Sequence, residues 1–134
     1  MIQLDHIGIA VADLTAMQKL FQILGLSITN IENVPDQGVA AHFIPLPQTE
    51  TKLELLVPLK SGDGTVAQFM TKRGPGIHHL SFRVGHGELE PISQKLIDAG
   101  YRLIYPTPKN GAHQRRINFI HPSSAGGILI EIME

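Results

Sequence analysis

The sequence predicts an α+β domain made of two βαβββ modules, and three observations carry that reading. An alternating strand bearing a histidine occurs twice, as LDHIGIAV from Leu4 to Val11 and as IHHLSFRV from Ile77 to Val84. His6 thereby matches His79, and Ile7, Ile9 and Val11 match Leu80, Phe82 and Val84. Each copy is followed by an apolar strand holding a lone carboxylate, KLELLVP around Glu54 and ILIEIME around Glu131. Each also has a helical stretch stopped by a glycine, Gly25 or Gly100. The histidines lie 73 residues apart and the glutamates 77, so the copies stay in register apart from about four inserted residues.

The elements follow in order. Residues 2 to 11 alternate, with Leu4, His6, Gly8 and Ala10 on one face and Asp5, Ile7, Ile9 and Val11 on the other. Asp13 is an N-cap, because a short carboxylate accepts from the free amides of a first helical turn. Met17, Leu20, Phe21 and Leu24 then recur at helical spacing until Gly25. Strands are expected over 26–34, 39–46 and 52–57, with a turn at Pro35-Asp36-Gln37-Gly38 and Pro58 closing a first module of about 2–58. Residues 59 to 75 read as a linker: Val66, Phe69 and Met70 suit one face of a short helix, but Gly62, Gly64, Gly74 and Pro75 argue for irregular chain. The second module, about 76–134, repeats the plan. It has a strand at 77–84, a helix near 88–99 with Leu89, Ile92, Leu96 and Ala99 inward, and strands near 101–105, 115–120 and 127–133. One such unit of about 55 residues leaves a sheet face bare, so the two belong to one domain.

Composition removes several function classes. A chain of 134 residues, 43% hydrophobic, is the size of one domain with its own core. A formal charge of −1 offers no field for nucleic acid or an anionic membrane, so an anionic ligand needs a local cluster of cations. Absence of cysteine excludes disulfides, thiolate nucleophiles and cysteine zinc sites, and leaves metal chemistry to histidine and carboxylate. No apolar run approaches the ~18 residues of a membrane span, and the first strand begins without a charged leader, which makes a soluble cytoplasmic protein the expectation.

The chemistry is expected at Glu54 and Glu131, each flanked by apolar residues. An ionised carboxylate buried among them costs several kcal/mol unless it meets a cation, a proton or a metal. Strand alternation also permits both to point to solvent, and a lone strand histidine is commonly structural. The duplication favours the other alternative. Two modules about a pseudo-twofold axis would bring His6, Glu54, His79 and Glu131 into one N₂O₂ set, suited to Co²⁺, Ni²⁺, Zn²⁺, Mn²⁺ or Mg²⁺ with two positions left for water or substrate.

This plan resembles the vicinal oxygen chelate superfamily, whose modules form a cup-shaped mixed sheet around a metal. Within it the chain is most similar to the methylmalonyl-CoA epimerases, on LDHIGIAV, Gln37-Gly38-Val39, KLELL, GIHHLSFRV and above all INFIHPSSAGGILIEI from Ile117 to Ile132. The resemblance runs along nearly the whole chain. It implies metal ligands at His6, Glu54, His79 and Glu131, Co²⁺ as the foremost ion, a homodimer, and an acyl-CoA substrate. It also implies a reaction in which the α-proton of (S)- or (R)-methylmalonyl-CoA is removed through a metal-stabilised enolate and returned to the other face.

The chain departs from the family pattern at Ala41, where many members have a glutamate base three residues after the glycine of Gln-Gly-Val. Neighbouring His42 is expected to turn outward as an exposed strand histidine, leaving Glu131 or Glu54 as base, as in the related glyoxalase I. Lys19-Leu20 stands where relatives often have an aromatic pair, and Ser123 where a lysine often follows His121-Pro122. Lys109, His113, Gln114, Arg115 and Arg116 form a basic segment that is either a solvated loop or a grip on the phosphates of a CoA tail. For the grip, Lys109, Arg115 and Arg116 are the candidates, since guanidinium forks match phosphate geometry.

Glyoxalase I-type lyases share the His, Glu, His, Glu order and are the nearest rival. They usually carry an arginine after the Asp-Leu that starts the first helix, where this chain has Thr15-Ala16, and one histidine where it has His78-His79. A non-catalytic binding module on the same fold is the third alternative, and it has no need of four ligands.

Overall fold

The computed structural model describes residues 1–59 and 64–134; Gly62 of the joining segment lies outside them. The chain divides into two compact units, one of His6–His78 and one of Met1–Asp5 with His79–Glu134. No helix among the described residues is long and apolar enough to cross a membrane.

In the unit His6–His78 the elements run β1 (Gln3–Ala10, entering the unit at His6), α1 (Leu14–Ile23), β2 (Asn30–Val34), β3 (Val39–Pro45), β4 (Lys52–Pro58) and α2 (Thr65–Arg73). The strand order is β2-β3-β4-β1, with β1 parallel to β4 and the other neighbours antiparallel. Asp13 caps α1 as its sequence position implies, Oδ1 accepting from the Ala16 amide at 3.0 Å. Leu14, Met17 and Phe21 press on Val11, Ile44 and Leu55, while Leu20 and Leu24 of the same apolar pattern are exposed.

The joining segment is more ordered than its glycines predict. Val66, Phe69 and Met70 of α2 pack on Ala10, Val39, Ala41, Phe43 and Leu56, the other face of the same strands. Gly64 and Gly74 sit at the two caps of α2 at positive φ, so they bracket the helix rather than interrupt it. A Cβ at Gly64 would also stand 2.8 Å from the Gln37 carbonyl oxygen. Helices therefore cover both faces of these strands.

The second unit contains β5 (Gly76–Arg83, entering it at His79), α3 (Leu89–Asp98), β6 (Lys109–Asn110), β7 (Arg116–Ile120) and β8 (Leu129–Met133). Its order is β5-β8-β7-β6, with β5 parallel to β8. The predicted α+β class and the twofold βαβββ succession are both present. Leu89, Ile92 and Leu96 of α3 pack against Val84, Ile120 and Ile132. Ala99, expected inward, is the exposed C-cap. The start of α3 is held from far along the chain, because Glu134 Oε2 accepts from the amides of Gly87 at 3.0 Å and Leu89 at 3.2 Å.

The strand expected at 101–105 is reduced to a single bridge, Leu103 to Ile120. Pro106 and Pro108 lack the amide donors that would extend it. Asn118 takes over by side chain: Oδ1 accepts from the Tyr105 amide and Nδ2 donates to the Tyr105 carbonyl, both at 3.1 Å.

Candidate functional site

Each unit holds a buried histidine beside a buried glutamate. On β1 and β4, His6 Nδ1 lies 3.4 Å from Glu54 Oε1. Glu54 pairs laterally with Gly8 on one side and Phe43 on the other. Gly8 projects no side chain at that point, so the strand leaves room for the carboxylate. Leu53, Leu55 and Val57 pack with the α1 cluster and Leu56 with the α2 cluster, which places Glu54 on the Leu56 face.

On β5 and β8, His79 and Glu131 share the face opposite Ile130 and Ile132, which belong to the α3 core. Glu131 stands in register with Ser81 and with Phe119, and the Ser81 hydroxyl donates to Glu131 Oε1 at 2.6 Å. The His79 ring meets Phe119 edge on, with centroids 6.5 Å apart. His6 is 5% exposed and Glu54, His79 and Glu131 are 7% exposed each. The solvent-facing alternative is thereby excluded for both glutamates. Each unit offers one imidazole nitrogen and one carboxylate, the donor types that hard and borderline divalent ions take, and their burial asks for a cationic partner.

His78, next to His79, faces differently: its ring packs edge on against Phe69 of α2, centroids 5.0 Å apart. Burial pushes its pKa below the ordinary histidine value, partly opposed by a hydrogen bond with the Thr65 backbone.

His42 departs from expectation. It does turn away from Ala41, but it is buried, at 8% exposure, and its Nδ1 has no hydrogen-bond partner among the described residues. The face opposite Ala41 is the one on which Ile44 and Leu55 pack under α1, so leaving one side of the sheet does not lead to water. Burial lowers the His42 pKa. The unfolded chain then binds the proton more readily than the folded one, and the stability tied to neutral His42 is present above the unfolded pKa of about 6.5 and declines as pH falls below it. His42→Leu is expected to raise stability by roughly 1 kcal/mol at pH 7, through removal of an unpaired polar atom, and to flatten the decline between about pH 7 and 5. Urea unfolding at several pH values measures both.

The three cations of the basic segment have different surroundings. Lys109 is exposed with Nζ over the Tyr105 ring, 4.5 Å from its centroid. Arg115 is exposed, and its carbonyl accepts from the Gly111 amide at 2.7 Å. Arg116 donates through Nη1 to Glu134 Oε1 at 2.9 Å and through Nη2 to Glu90. The Arg116 guanidinium holds the Glu90 carboxyl below its ordinary pKa. Between them His113 and Gln114 adopt left-handed φ of 56° and 59°, a conformation that costs a side-chain-bearing residue energy. His121 Nδ1 accepts from the Ser123 amide at 3.0 Å, the turn role its place before Pro122 implies.

Sequence reasoning missed Ser81. The signal was in the repeat, since Ser81 occupies the place in the second strand that Gly8 occupies in the first.

The chain is similar to known proteins along nearly its whole length. The ethylmalonyl-CoA/methylmalonyl-CoA epimerase of Cereibacter sphaeroides is 37% identical over 133 residues, covering 97% of this chain and 96% of that protein. The crystal structure of methylmalonyl-CoA epimerase from Mycobacterium tuberculosis superposes with a TM-score of 0.87 at 40% identity, covering 98% of this chain and 86% of that one. A methylmalonyl-CoA epimerase solved in complex with methylmalonyl-CoA and NH4+ gives 0.86 at 30% identity, over 98% and 92% of the two chains. The family model for the Glyoxalase/Bleomycin resistance protein/Dioxygenase superfamily matches residues 5–119, and with the repeated strand carrying a buried His and Glu in each half, the chain belongs to that superfamily.

Proposed function

We propose that the protein is a divalent-metal-dependent epimerase that interconverts (S)- and (R)-methylmalonyl-CoA. The observation that carries this reading is the burial of two carboxylates at equivalent places in the repeat, each accompanied by a buried histidine. Three of the four, His6, His79 and Glu131, are buried side chains that could hold a metal ion, and we assign Glu54 as the fourth ligand. Two imidazoles and two carboxylates without a thiolate suit Co²⁺, Ni²⁺, Zn²⁺, Mn²⁺ or Mg²⁺, and it is the resemblance to the epimerases that puts Co²⁺ first. A divalent ion bound there supplies Lewis acidity toward the thioester oxygen, where charge develops as the α-proton leaves.

The remaining steps fall to the chain. A carboxylate of the set, Glu131 through Oε2 or Glu54, would leave the ion to take the proton from the carbon between thioester and free carboxylate; the C–H electron pair moves onto the thioester oxygen, and as that pair returns to carbon the protonated form of the other glutamate gives a proton to the opposite face. Ala41 has no group for this task. Lys109 and Arg115 are proposed to meet the CoA phosphates, with Arg116 holding their segment through Glu90 and Glu134. A second copy of the chain is the proposed partner, supported by the exposed Leu20, Ile23 and Leu24 of α1, and the cytoplasm the proposed compartment.

The test is exchange of the α-proton of methylmalonyl-CoA in D₂O by metal-reconstituted protein, followed by NMR. Exchange that needs the metal supports the reading. Its absence, together with isomerisation of a glutathione hemithioacetal, moves the assignment to a lyase, and lack of any affinity for a divalent ion moves it to a binding module.

A further inference from the structure

We infer that Ser81 is a positioning residue that fixes the carboxylate of Glu131, leaving a single oxygen, Oε2, to meet a metal ion. This rests on the metal reading above. Ser81 is 0% exposed, and its Oγ stands 2.6 Å from Glu131 Oε1 and 3.2 Å from Met133 Sδ. A hydroxyl has one proton to give. An ionised carboxylate is a far better acceptor than a thioether, and 2.6 Å is the length of a charge-assisted O–H to carboxylate bond, so the proton points at Glu131.

The placement is set by the backbone. Ser81 and Glu131 face each other across the parallel β5–β8 ladder, so the hydroxyl reaches the carboxylate without any change in the strands. A glutamate carboxylate ends a side chain with several rotatable bonds, and a ligand of that kind keeps its orientation only if its other oxygen is held. Here Oε1 is held.

The repeat shows that this is a difference between the modules. Gly8 lies beside Glu54 in the first and Ser81 beside Glu131 in the second. The same strand position thus offers one glutamate bare backbone and the other a hydroxyl. The two carboxylates, alike in the ancestral plan, become unlike ligands, with Glu131 the one whose orientation is fixed from this position.

The test compares wild type, Ser81→Ala and Ser81→Thr, each loaded with Co²⁺ from the metal-free protein. Ser81→Ala is expected to bind Co²⁺ about tenfold more weakly by calorimetry. Its visible Co²⁺ bands should also change in position and intensity, as the freed carboxylate turns to offer both oxygens. Ser81→Thr keeps the hydroxyl and is expected to restore affinity and spectrum together. Thermal melting of the metal-free proteins identifies a variant that fails to fold. Should threonine fail, Ser81→Cys takes its place, with the shape of serine but a weak donor, and it is expected to match alanine. An alanine variant with wild-type affinity and spectrum overturns the inference, as does a cysteine variant that matches wild type. Wild-type protein that binds no Co²⁺ overturns the metal reading itself, and this inference with it.

Discussion

Glu131→Ala is expected to abolish α-proton exchange of methylmalonyl-CoA, by roughly a thousandfold or more, while leaving a folded protein. The side chain lies between Ile130 and Ile132 in sequence but on the opposite face of β8, at 7% exposure, where Ser81 orients it. Its truncation removes a proposed ligand and a proposed base at once. Loss of a positioned general base alone lowers such a rate by about 10²–10⁴, and loss of a ligand weakens retention of the ion on which the Lewis acidity depends. Stability should change little, because the deleted group is a buried anion whose own desolvation opposes folding, and Ile130 and Ile132 keep their contacts with α3. Metal content after gel filtration, NMR-detected exchange in D₂O and a circular dichroism melt read the three effects separately. A variant that retains both its metal and its exchange rate removes Glu131 from the mechanism.

Much of this was legible in the residues because the chain is duplicated. A single histidine on an alternating strand says little, but His6 and His79 in matching octapeptides, followed by Glu54 and Glu131 in matching strands, carry the module plan and the candidate ligands together. The misreadings have local physical causes. Gly64 and Gly74 look like breakers of α2 in one dimension and are its two ends in three. Residues 101 to 105 have strand composition, yet the prolines that follow deny them a ladder, and the side chain of Asn118 is their substitute. His42 was placed on the correct face by alternation, but alternation cannot say whether the far face is covered; α1 covers it. Arg115 and Arg116 are alike in sequence, and only the fold brings Glu90 and Glu134 against Arg116.

The alternation of β4 yields the sharpest contrast between neighbouring residues. Leu55 is 0% exposed and packs with Val11 and Ile44 beneath Leu14, Met17 and Phe21. Leu55→Ala removes buried methyl groups and leaves a cavity that a sheet pinned on both sides closes only in part, at a cost of about 3 kcal/mol. For a domain of this size that is a fall of roughly 10 °C in Tm. Below the melting temperature the variant should retain most of its exchange activity, because Glu54 points to the other face. Glu54→Ala has the inverse signature. It deletes a carboxylate 3.4 Å from His6 Nδ1 and touches none of the α1 contacts, so the melting temperature should move by only a few degrees while exchange and metal binding collapse. Measured side by side at 20 °C and in a melt, the pair separates what β4 does for the fold from what it does for the chemistry. If Leu55→Ala loses activity in proportion to Glu54→Ala while still folded, the two faces are not independent, and the packing under α1 must itself set the position of the Glu54 carboxylate.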